Sequence, residues 1–403
     1  MRENRVVAKL RKNLHNQFTK RKALAERYFN SKGLKVSWWI DKFLSFFYSL
    51  KRSTSNTYEN DFNYKKVLIL HSHLIGDVIM SIPACRAIRE KFPDCELIFW
   101  GNKWGYELLY DQKLFDSFFI ACIPWSVYDY SLKNLGHLFS QIRKLRRLKI
   151  DLALDFRGDM RNIFLLYLTA ASGRVSYNFT GGSYWLTDIV QPAQSIHIID
   201  RNLNVARYIG AKNCQAVVPK INPSQEKVDK AREYFEKIGL KNIVFLHAGA
   251  SQPKRLWLAE RFAQVADFLY EKGYCPVLLS DPSDKILTQT VKDKCKSSLR
   301  ILSTVELEDI PAYLNCGKLF IGLDSGIAHI AAALGKNIIV LFGPQDPNIS
   351  SPRGDGLVQT IAKGDFQCRP CYSSVCNLGI ACMKAIRVGD VIEAIEKIEK
   401  YTG

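Results

Sequence analysis

The sequence lacks the features that mark several classes of protein. It contains no run of about 18 uncharged apolar residues, so no transmembrane helix is expected. No short charged segment followed by an apolar stretch opens the chain, which predicts no signal peptide. The motifs GxGxxG, GxxxxGK(S/T) and HExxH are absent, which argues against a dehydrogenase, a P-loop NTPase and a zinc protease. An odd number of cysteines, eleven, favours a reducing compartment and predicts a cytoplasmic protein.

Acidic residues are also scarce. The 403 residues include 39 Asp and Glu against 57 Lys and Arg, a formal net charge of +18. Residues 1–55 alone hold 14 basic and three acidic residues, a net charge of +11. Such a balance suits nucleic acid, an anionic membrane surface or a phosphorylated substrate. Nucleic acid is disfavoured because no recognisable reader motif accompanies the charge.

The basic extension is predicted to be helical. In residues 1–30, apolar residues recur at three- and four-residue spacing. After Gly33 a second helix is predicted, with an apolar face of Val36, Trp39, Ile40, Phe43, Leu44, Phe47 and Leu50 that is widened by Trp38, Phe46 and Tyr48. This face suits an anionic membrane leaflet, and it suits equally well packing on the protein body or on another copy. Residues 51–63 are polar and predict a linker.

Beyond residue 63, short apolar strands alternate with helices. In the first half, strands are predicted at residues 66–71, 96–100 and 150–156. In the second half, they are predicted at residues 242–247, 275–280, 318–323 and 337–342. This alternation indicates parallel βαβ units, so the chain is predicted to be an α/β protein with two parallel sheets joined near residues 215–225.

The loop after the first strand, HSHLIGD at residues 71–77, is the first candidate for chemistry. In an open parallel sheet, ligands bind at the carboxyl ends of the strands. Gly76 permits close approach of another group, and Asp77 stands at the start of the next helix. From the residues alone, Asp77 is either a helix cap or a catalytic carboxylate.

A second candidate lies at residues 322–329. Asp324, Ser325 and Gly326 stand where a strand gives way to a helix, whose free N–H groups form an anion site. His329 follows Ser325 by four residues and faces much the same way. The alternative is an N-cap followed by a partly buried histidine.

Two further segments carry reactive side chains. Ser251, Lys254 and Arg255 follow a strand of the second half, and they indicate either a phosphate clamp or a solvated basic loop. Four cysteines within fifteen residues predict a structural zinc site, a disulfide or reduced thiols, with zinc the less favoured interpretation; they are Cys368, Cys371, Cys376 and Cys382.

Together these segments resemble glycosyltransferase family 9, the ADP-heptose:lipopolysaccharide heptosyltransferases. The resemblance runs from about residue 64 to residue 401. It is carried by VLILHSHLIGDVIMSIP (67–83), DLALDFRG (151–158), HIIDRNL (197–203), HAGASQPKRLWLAERF (247–262) and GLDSGIAHIAAALGKNIIVLFGPQDP (322–347), and also by the cysteine-rich residues 368–383. Each segment alone is weak evidence, whereas their shared order and spacing are specific.

The resemblance implies a GT-B fold, in which two Rossmann-like parallel-sheet domains face a cleft. A basic helical extension and linker occupy residues 1–63, an acceptor domain residues 64–218 and a nucleotide-sugar domain residues 219–387. The helix at residues 388–403 is expected to pack back on the first domain. The implied activity is inverting, independent of metals and cofactors, and moves heptose from ADP-heptose to the inner core of lipopolysaccharide or lipooligosaccharide.

The resemblance also implies roles for individual residues. Asp77 matches the family's Gly-Asp position and is the expected base. The leaving diphosphate is expected at the N–H groups of Ser325 and Gly326, with Lys254 or Arg255 beside it. The remaining expected substrate contacts are Gly76, His73, Ser251, Asp324, His329 and, at the ribose, Asp284.

The expected partners are a nucleotide sugar and a lipid A–core acceptor, without nucleic acid. Residues 1–55 are expected to touch the anionic inner leaflet and hold the enzyme at the inner face of the inner membrane. Three alternatives remain at this point. They are transfer of another sugar by the same fold, a nucleotide-sugar epimerase of the GT-B type, and a non-catalytic basic adaptor for membranes or nucleic acid.

Overall fold

A computed structural model describes residues 31–49, 64–192, 197–214, 218–303, 305–373 and 375–402. The first predicted helix of the extension and the linker at residues 51–63 lie outside the described residues. Among the described helices, none combines the length and the apolar character needed to cross a bilayer.

The first domain is built on six strands, which are β1 (Lys66–His71), β2 (Glu96–Gly101), β3 (Ser117–Ile120), β4 (Leu152–Asp155), β5 (Gly173–Ser176) and β6 (Asp188–Ile189). Its helices are α1 (Ser31–Ser49), α2 (Ile75–Lys91), α3 (Lys103–Leu109), α4 (Pro124–Val127), α5 (Leu132–Arg147), α6 (Met160–Leu168) and α7 (Ile198–Tyr208). Two short 3₁₀ turns lie at Tyr110–Gln112 and Ser183–Trp185.

The second domain repeats this plan with β7 (Ile243–His247), β8 (Cys275–Leu279), β9 (Arg300–Leu302), β10 (Leu319–Leu323), β11 (Asn337–Leu341) and β12 (Val358–Ile361). Its helices are α8 (Gln225–Lys237), α9 (Ala259–Glu271), α10 (Lys285–Lys294), α11 (Ile310–Asn315), α12 (Gly326–Ala333), α13 (Pro347–Ser350), α14 (Ala381–Lys384) and α15 (Val388–Thr402). Two 3₁₀ turns lie at Pro253–Arg255 and Pro282–Asp284.

Both sheets are parallel and have the same topology. The strand order is β3-β2-β1-β4-β5-β6 in the first and β12-β11-β10-β7-β8-β9 in the second, so each half follows the order of doubly wound nucleotide-binding folds. The order reverses between β1 and β4, and again between β7 and β10. Ligands bind at such reversal points. The two predicted parallel sheets are therefore confirmed, and their loops locate the candidate site.

The sheets form because their strands are apolar on both faces. Five of the six residues of β1 and all five of β7 and β10 are buried, since helices cover both sides of each sheet. In the first domain, α2 and α7 cover one face, and α5 and α6 cover the other. This leaves only the strand ends and the adjoining helix starts open to a ligand.

The C-terminal helix α15 packs on the second domain. Its apolar residues Val391, Ile395 and Ile398 join the core between α9 and the second sheet, and Tyr274 donates a hydrogen bond to Glu399 at 2.8 Å. The expectation that residues 388–403 pack back on the first domain is therefore wrong. The apolar face of this helix instead covers the sheet of its own domain, next to β11 and β12.

Candidate active site

A cavity of about 150 Å³ lies in the first domain at the β1–β4 reversal point. Asp77 lines it from the first turn of α2. The N-cap position of α2 is Leu74 rather than Asp77, so the simple capping interpretation does not apply to this carboxylate. The other lining residues are Leu70, His71, His73, Ser81, Phe156, Arg157, Ile198, Arg201 and Asn202.

The cavity is electropositive. Arg157 and Arg201 lie near enough to lower the pKa of His73, whose burial already holds that pKa well below its usual range. His71 is also buried, and its pKa is lowered to about 3 by desolvation. Both histidines are therefore neutral near pH 7, and the positive charge of the cavity comes from arginine. The cavity suits an anionic acceptor.

A buried hydrogen-bond network fixes the loops of this cavity. The carboxylate of Asp155, at the end of β4, accepts from the Gly158 amide at 2.7 Å and from the side chains of Asn162 and Ser176 at 2.8 Å. Asn162 accepts in turn from the Ser72 hydroxyl at 2.8 Å. The loop that carries Arg157 is thereby tied to the loop that carries His73, which preorganises the cavity.

In the second domain, the start of α12 lies at the β7–β10 reversal point. Asp324 is buried there, and an oxygen of its carboxylate lies 3.3 Å from Nη1 of Arg255. Burial raises the pKa of Asp324, Asp77 raises it further, and Arg255 opposes both effects. The Ser325 hydroxyl lies 3.3 Å from Nδ1 of His247. The N–H groups that open α12 thus sit beside a cation, as an anion site requires.

Arg255 and Lys254 are neighbours that point in different directions. Arg255 turns toward Asp324, and its buried Nε has no hydrogen-bond partner among the described residues. Lys254 instead donates from Nζ to the carbonyl oxygens of Cys371, at 2.9 Å, and Ser373. The structure therefore separates the two cations that the sequence could not rank: only Arg255 faces the start of α12.

The four clustered cysteines line one small cavity beside Lys254. All four are free thiols: Cys368 is exposed, Cys371 and Cys376 are half-buried, and Cys382 is buried. Within the described parts of the chain, no group of three or more potential ligands is arranged to hold a metal. The zinc alternative is not supported by this geometry, in which the segment serves as a cover for Lys254.

Asp284 lies beside the loop that follows β7. It ends the 3₁₀ turn after β8, half-buried, and its carboxylate lies so near Gly249 that a Cβ there would approach it to 2.0 Å. Burial and the charge of Asp281 raise the pKa of Asp284. Ser251 lies further along the same loop as Gly249 and is exposed. Asp284 therefore lies at the carboxyl edge of the second sheet, where a nucleotide is expected.

The two halves meet directly between these regions. A Cβ on Gly76 would lie 2.9 Å from Cδ2 of His329, and a Cβ on Gly326 would lie 2.7 Å from Cβ of Ile75. His329 is buried at this contact, which lowers its pKa to about 3. The first turns of α2 and α12 therefore abut through two glycines. Asp77 and the α12 anion site are brought together at this point.

Several contacts of the cavity were missed by the sequence analysis. Arg157 lies two residues after the end of β4 at the reversal point, a position that could have singled it out. Arg201 and Asn202 come from α7, and no spacing in the sequence signals that this helix lies against α2. The Oδ1 atom of Asn202 is buried and has no hydrogen-bond partner among the described residues.

Comparisons with known proteins agree with this architecture. The model of glycosyltransferase family 9 (heptosyltransferase) matches residues 138–381. Lipopolysaccharide heptosyltransferase 3 of Escherichia coli is 25% identical over 334 residues, covering 80% of this chain and 96% of the relative. A family 9 glycosyltransferase from Veillonella parvula has a TM-score of 0.72 at 19% identity, covering 85% of this chain and all of that one. E. coli ADP-heptose LPS heptosyltransferase II has a TM-score of 0.69 at 17% identity, with 83% and 98% covered.

The structural likenesses confirm the GT-B fold, and the family model matches more than half of the sequence. The chain therefore belongs to glycosyltransferase family 9 and is a glycosyltransferase.

Proposed function

We propose that this enzyme transfers heptose from ADP-heptose, with inversion, to a hydroxyl of the inner core of lipopolysaccharide or lipooligosaccharide. The acceptor binds to the domain at residues 64–218 and the nucleotide sugar to the domain at residues 219–387. One observation carries the proposal. Asp77 lines the acceptor cavity from the same helix turn that abuts the anion site at the start of α12.

This juxtaposition suits an in-line displacement. The carboxylate of Asp77 takes the proton of the acceptor hydroxyl, whose oxygen forms a bond to the anomeric carbon of the donor. The bond from that carbon to the diphosphate breaks on the opposite side, so the configuration inverts and the nucleoside diphosphate leaves. The expectation that Gly76 contacts substrate is replaced by a positioning role, because the space beside Gly76 is filled by the ring of His329. His73 contributes to the cavity wall.

The leaving group carries negative charge that must be stabilised. This charge is stabilised from one side of the junction by the N–H groups at Ser325 and Gly326 and by the guanidinium of Arg255. These groups take the role that a divalent cation has in other transferases, so we propose that no metal is required. We assign Asp324 to the donor sugar hydroxyls and His329, which burial holds neutral, to the diphosphate side.

The identity of both substrates rests on separate support. The E. coli structure named ADP-heptose LPS heptosyltransferase II shares the fold, and the 25% identical relative is named a lipopolysaccharide heptosyltransferase. The arginine-lined cavity fits an acceptor that carries carboxylates or phosphates. We assign Asp284 to the ribose of the nucleotide, because it follows β8 at the carboxyl edge of the second sheet. The alternative is the same reaction with a different nucleotide sugar.

Substitution of Asp77 by asparagine tests the mechanism. We expect D77N to lower kcat by about 10²- to 10⁴-fold, because the base is lost while the donor site is intact. The Kd for ADP, measured by calorimetry, should stay within about threefold. Asp94→Asn is a matched control, since Asp94 is exposed just beyond the end of α2. Full activity of D77N would disprove the assignment of the base.

A donor screen tests the substrate. Binding of ADP-heptose, ADP, and UDP and GDP sugars should be compared by calorimetry, with product anomers assigned by NMR and turnover measured with and without EDTA. Selective binding of ADP-heptose and ADP supports the proposal. A preference for a UDP or GDP sugar would show that the donor is not ADP-heptose. Retention of configuration, or loss of turnover in EDTA, would refute the mechanism.

A further inference from the structure

Helix α1 has two apolar faces, of which one is docked. Leu34 is buried, and Leu44 packs against the cluster around Met160 and Trp185. Trp38 donates from Nε1 to the carbonyl oxygen of Phe179 at 3.3 Å. The carboxylate of Asp41 accepts from the Gly182 amide at 2.7 Å. The spacing of Leu34, Trp38, Asp41 and Leu44 follows one side of a helix, so this side is fixed on the first domain.

The opposite side of α1 carries four exposed apolar side chains. Val36, Trp39, Ile40 and Phe43 follow the i, i+3, i+4, i+7 spacing of a single helix face. Their exposed fractions are 61%, 79%, 44% and 64%. The single apolar stripe expected from the sequence is thus divided, because Trp38 and Leu44 turn to the body. An exposed apolar face on a fixed helix indicates an interaction surface.

Basic residues accompany this outer face. Lys35 and Lys42 are exposed on α1, and residues 1–55 carry a net charge of +11. The neighbouring helix α5 contains five basic and no acidic residues, and it exposes Leu132 and Phe139. Helix α6 lies between them, contacting α5 on one side and, on the other, the Ser183–Trp185 turn on which α1 rests. Helices α1 and α5 are therefore connected through α6 and this turn, and both carry exposed apolar and basic side chains.

We propose that this surface, formed by the outer face of α1 with the basic α5, binds the headgroup region of an anionic lipid bilayer. A bilayer interface takes apolar and aromatic side chains and attracts Lys and Arg at the same time, whereas a second copy of this basic chain would bring like charges together. Arg157, in the acceptor cavity, precedes α6 by three residues. The bound enzyme thus presents its cavity beside the lipid surface. This inference goes beyond the proposed function and does not depend on turnover.

Point substitutions test the surface better than truncation, because deleting α1 would uncover the cluster at Met160 and Trp185. We expect Trp39→Ser with Phe43→Ser to lower the partition coefficient at least about tenfold on phosphatidylcholine vesicles with about 30% phosphatidylglycerol. A control pair, Tyr270→Ser with Ile286→Ser, replaces exposed side chains of the second domain and should bind as the wild type does.

The charge is tested on the same vesicles. Lys35→Gln with Lys42→Gln should weaken binding at low salt, and the wild type should bind less as salt is raised or phosphatidylglycerol is omitted. Equal partition of W39S/F43S and wild type at equal thermal stability would overturn the proposal. A second result would also overturn it. If light scattering showed a wild-type dimer, and W39S/F43S made it monomeric without changing vesicle binding, the face would serve to bind a second copy.

Discussion

Replacing Gly326 by alanine inserts a methyl group into the contact between α2 and α12. The new Cβ would lie 2.7 Å from both Cβ and Cγ2 of Ile75, whereas ordinary contacts begin at 3.4 Å. The two helix starts must therefore separate by about 0.7 Å or more, since Cβ and Cγ2 of Ile75 lie close to its backbone and cannot swing away. That shift moves the α12 anion site away from Asp77 by a similar distance.

We expect G326A to lower kcat/KM by about 10- to 100-fold, because a misplacement near 1 Å can cost a factor of about 10² in rate. The assay is release of ADP from ADP-heptose with a truncated lipooligosaccharide acceptor. Thermal stability should change little, because alanine favours the helix by up to about 1 kcal/mol while the interface loses contact. Gly76→Ala meets His329 at the same junction and should act in the same direction.

The matched control is Gly136→Ala. Gly136 lies within α5, and a Cβ there meets nothing within 4 Å, so this variant gains helix propensity without a clash. Its activity should equal that of the wild type. The fold decrease in kcat/KM of the double variant G76A/G326A should be smaller than the product of the two single decreases, because both substitutions disturb the same contact. Wild-type kcat/KM in G326A would refute the idea that this contact sets the reacting distance.

The remaining predictions concern charge. Arg255→Ala should weaken ADP binding by about 10- to 100-fold in calorimetry, since a charged hydrogen bond contributes about 1.5–3 kcal/mol, whereas Lys254→Ala should change it by less than about threefold. The Lys254 variant should instead lose thermal stability, because its ammonium holds the cysteine segment; a reversed pattern would refute the separation of the two cations. The folded-state pKa of His71 is about 3, below the unfolded value near 6.5, so the unfolded chain binds the proton first and stability falls as pH drops below 6.5. In urea unfolding, His71→Gln should reduce the total fall between pH 7 and pH 5 by about 2 kcal/mol, and parallel curves would contradict the assignment.

The sequence predicted the two sheets because parallel strands that are buried on both faces read as short apolar runs between helices. Five strands were not predicted, because they are short and lie away from the sheet centres; they are β3, β5, β6, β9 and β12. The domain on which α15 packs could not be predicted either. Its periodicity shows an apolar face but does not say which domain that face covers.

The site was predictable where residues adjoin central strands. Asp77 comes after the loop that follows β1, and Asp324 directly follows β10. Their positions in the chain therefore place them at the reversal points. The directions of side chains could not be read in this way. Lys254 and Arg255 are consecutive on a 3₁₀ turn, where neighbouring side chains diverge, and only the fold reveals which one faces α12. Arg201 depends on the packing of α7 against α2, a contact distant in sequence.

The identical strand order of the two sheets has a consequence for how specificity can change. In the proposed function, the pair of loops after β1 and β4 recognises the acceptor, and the equivalent pair after β7 and β10 recognises the donor. The pairs belong to separate sheets and meet at the glycine contact of α2 and α12. On that proposal, a loop replacement on one half alters the recognition of one substrate, while the loops that recognise the other remain on their own sheet. Acceptor and donor preference can diverge independently, as long as the glycine contact is kept.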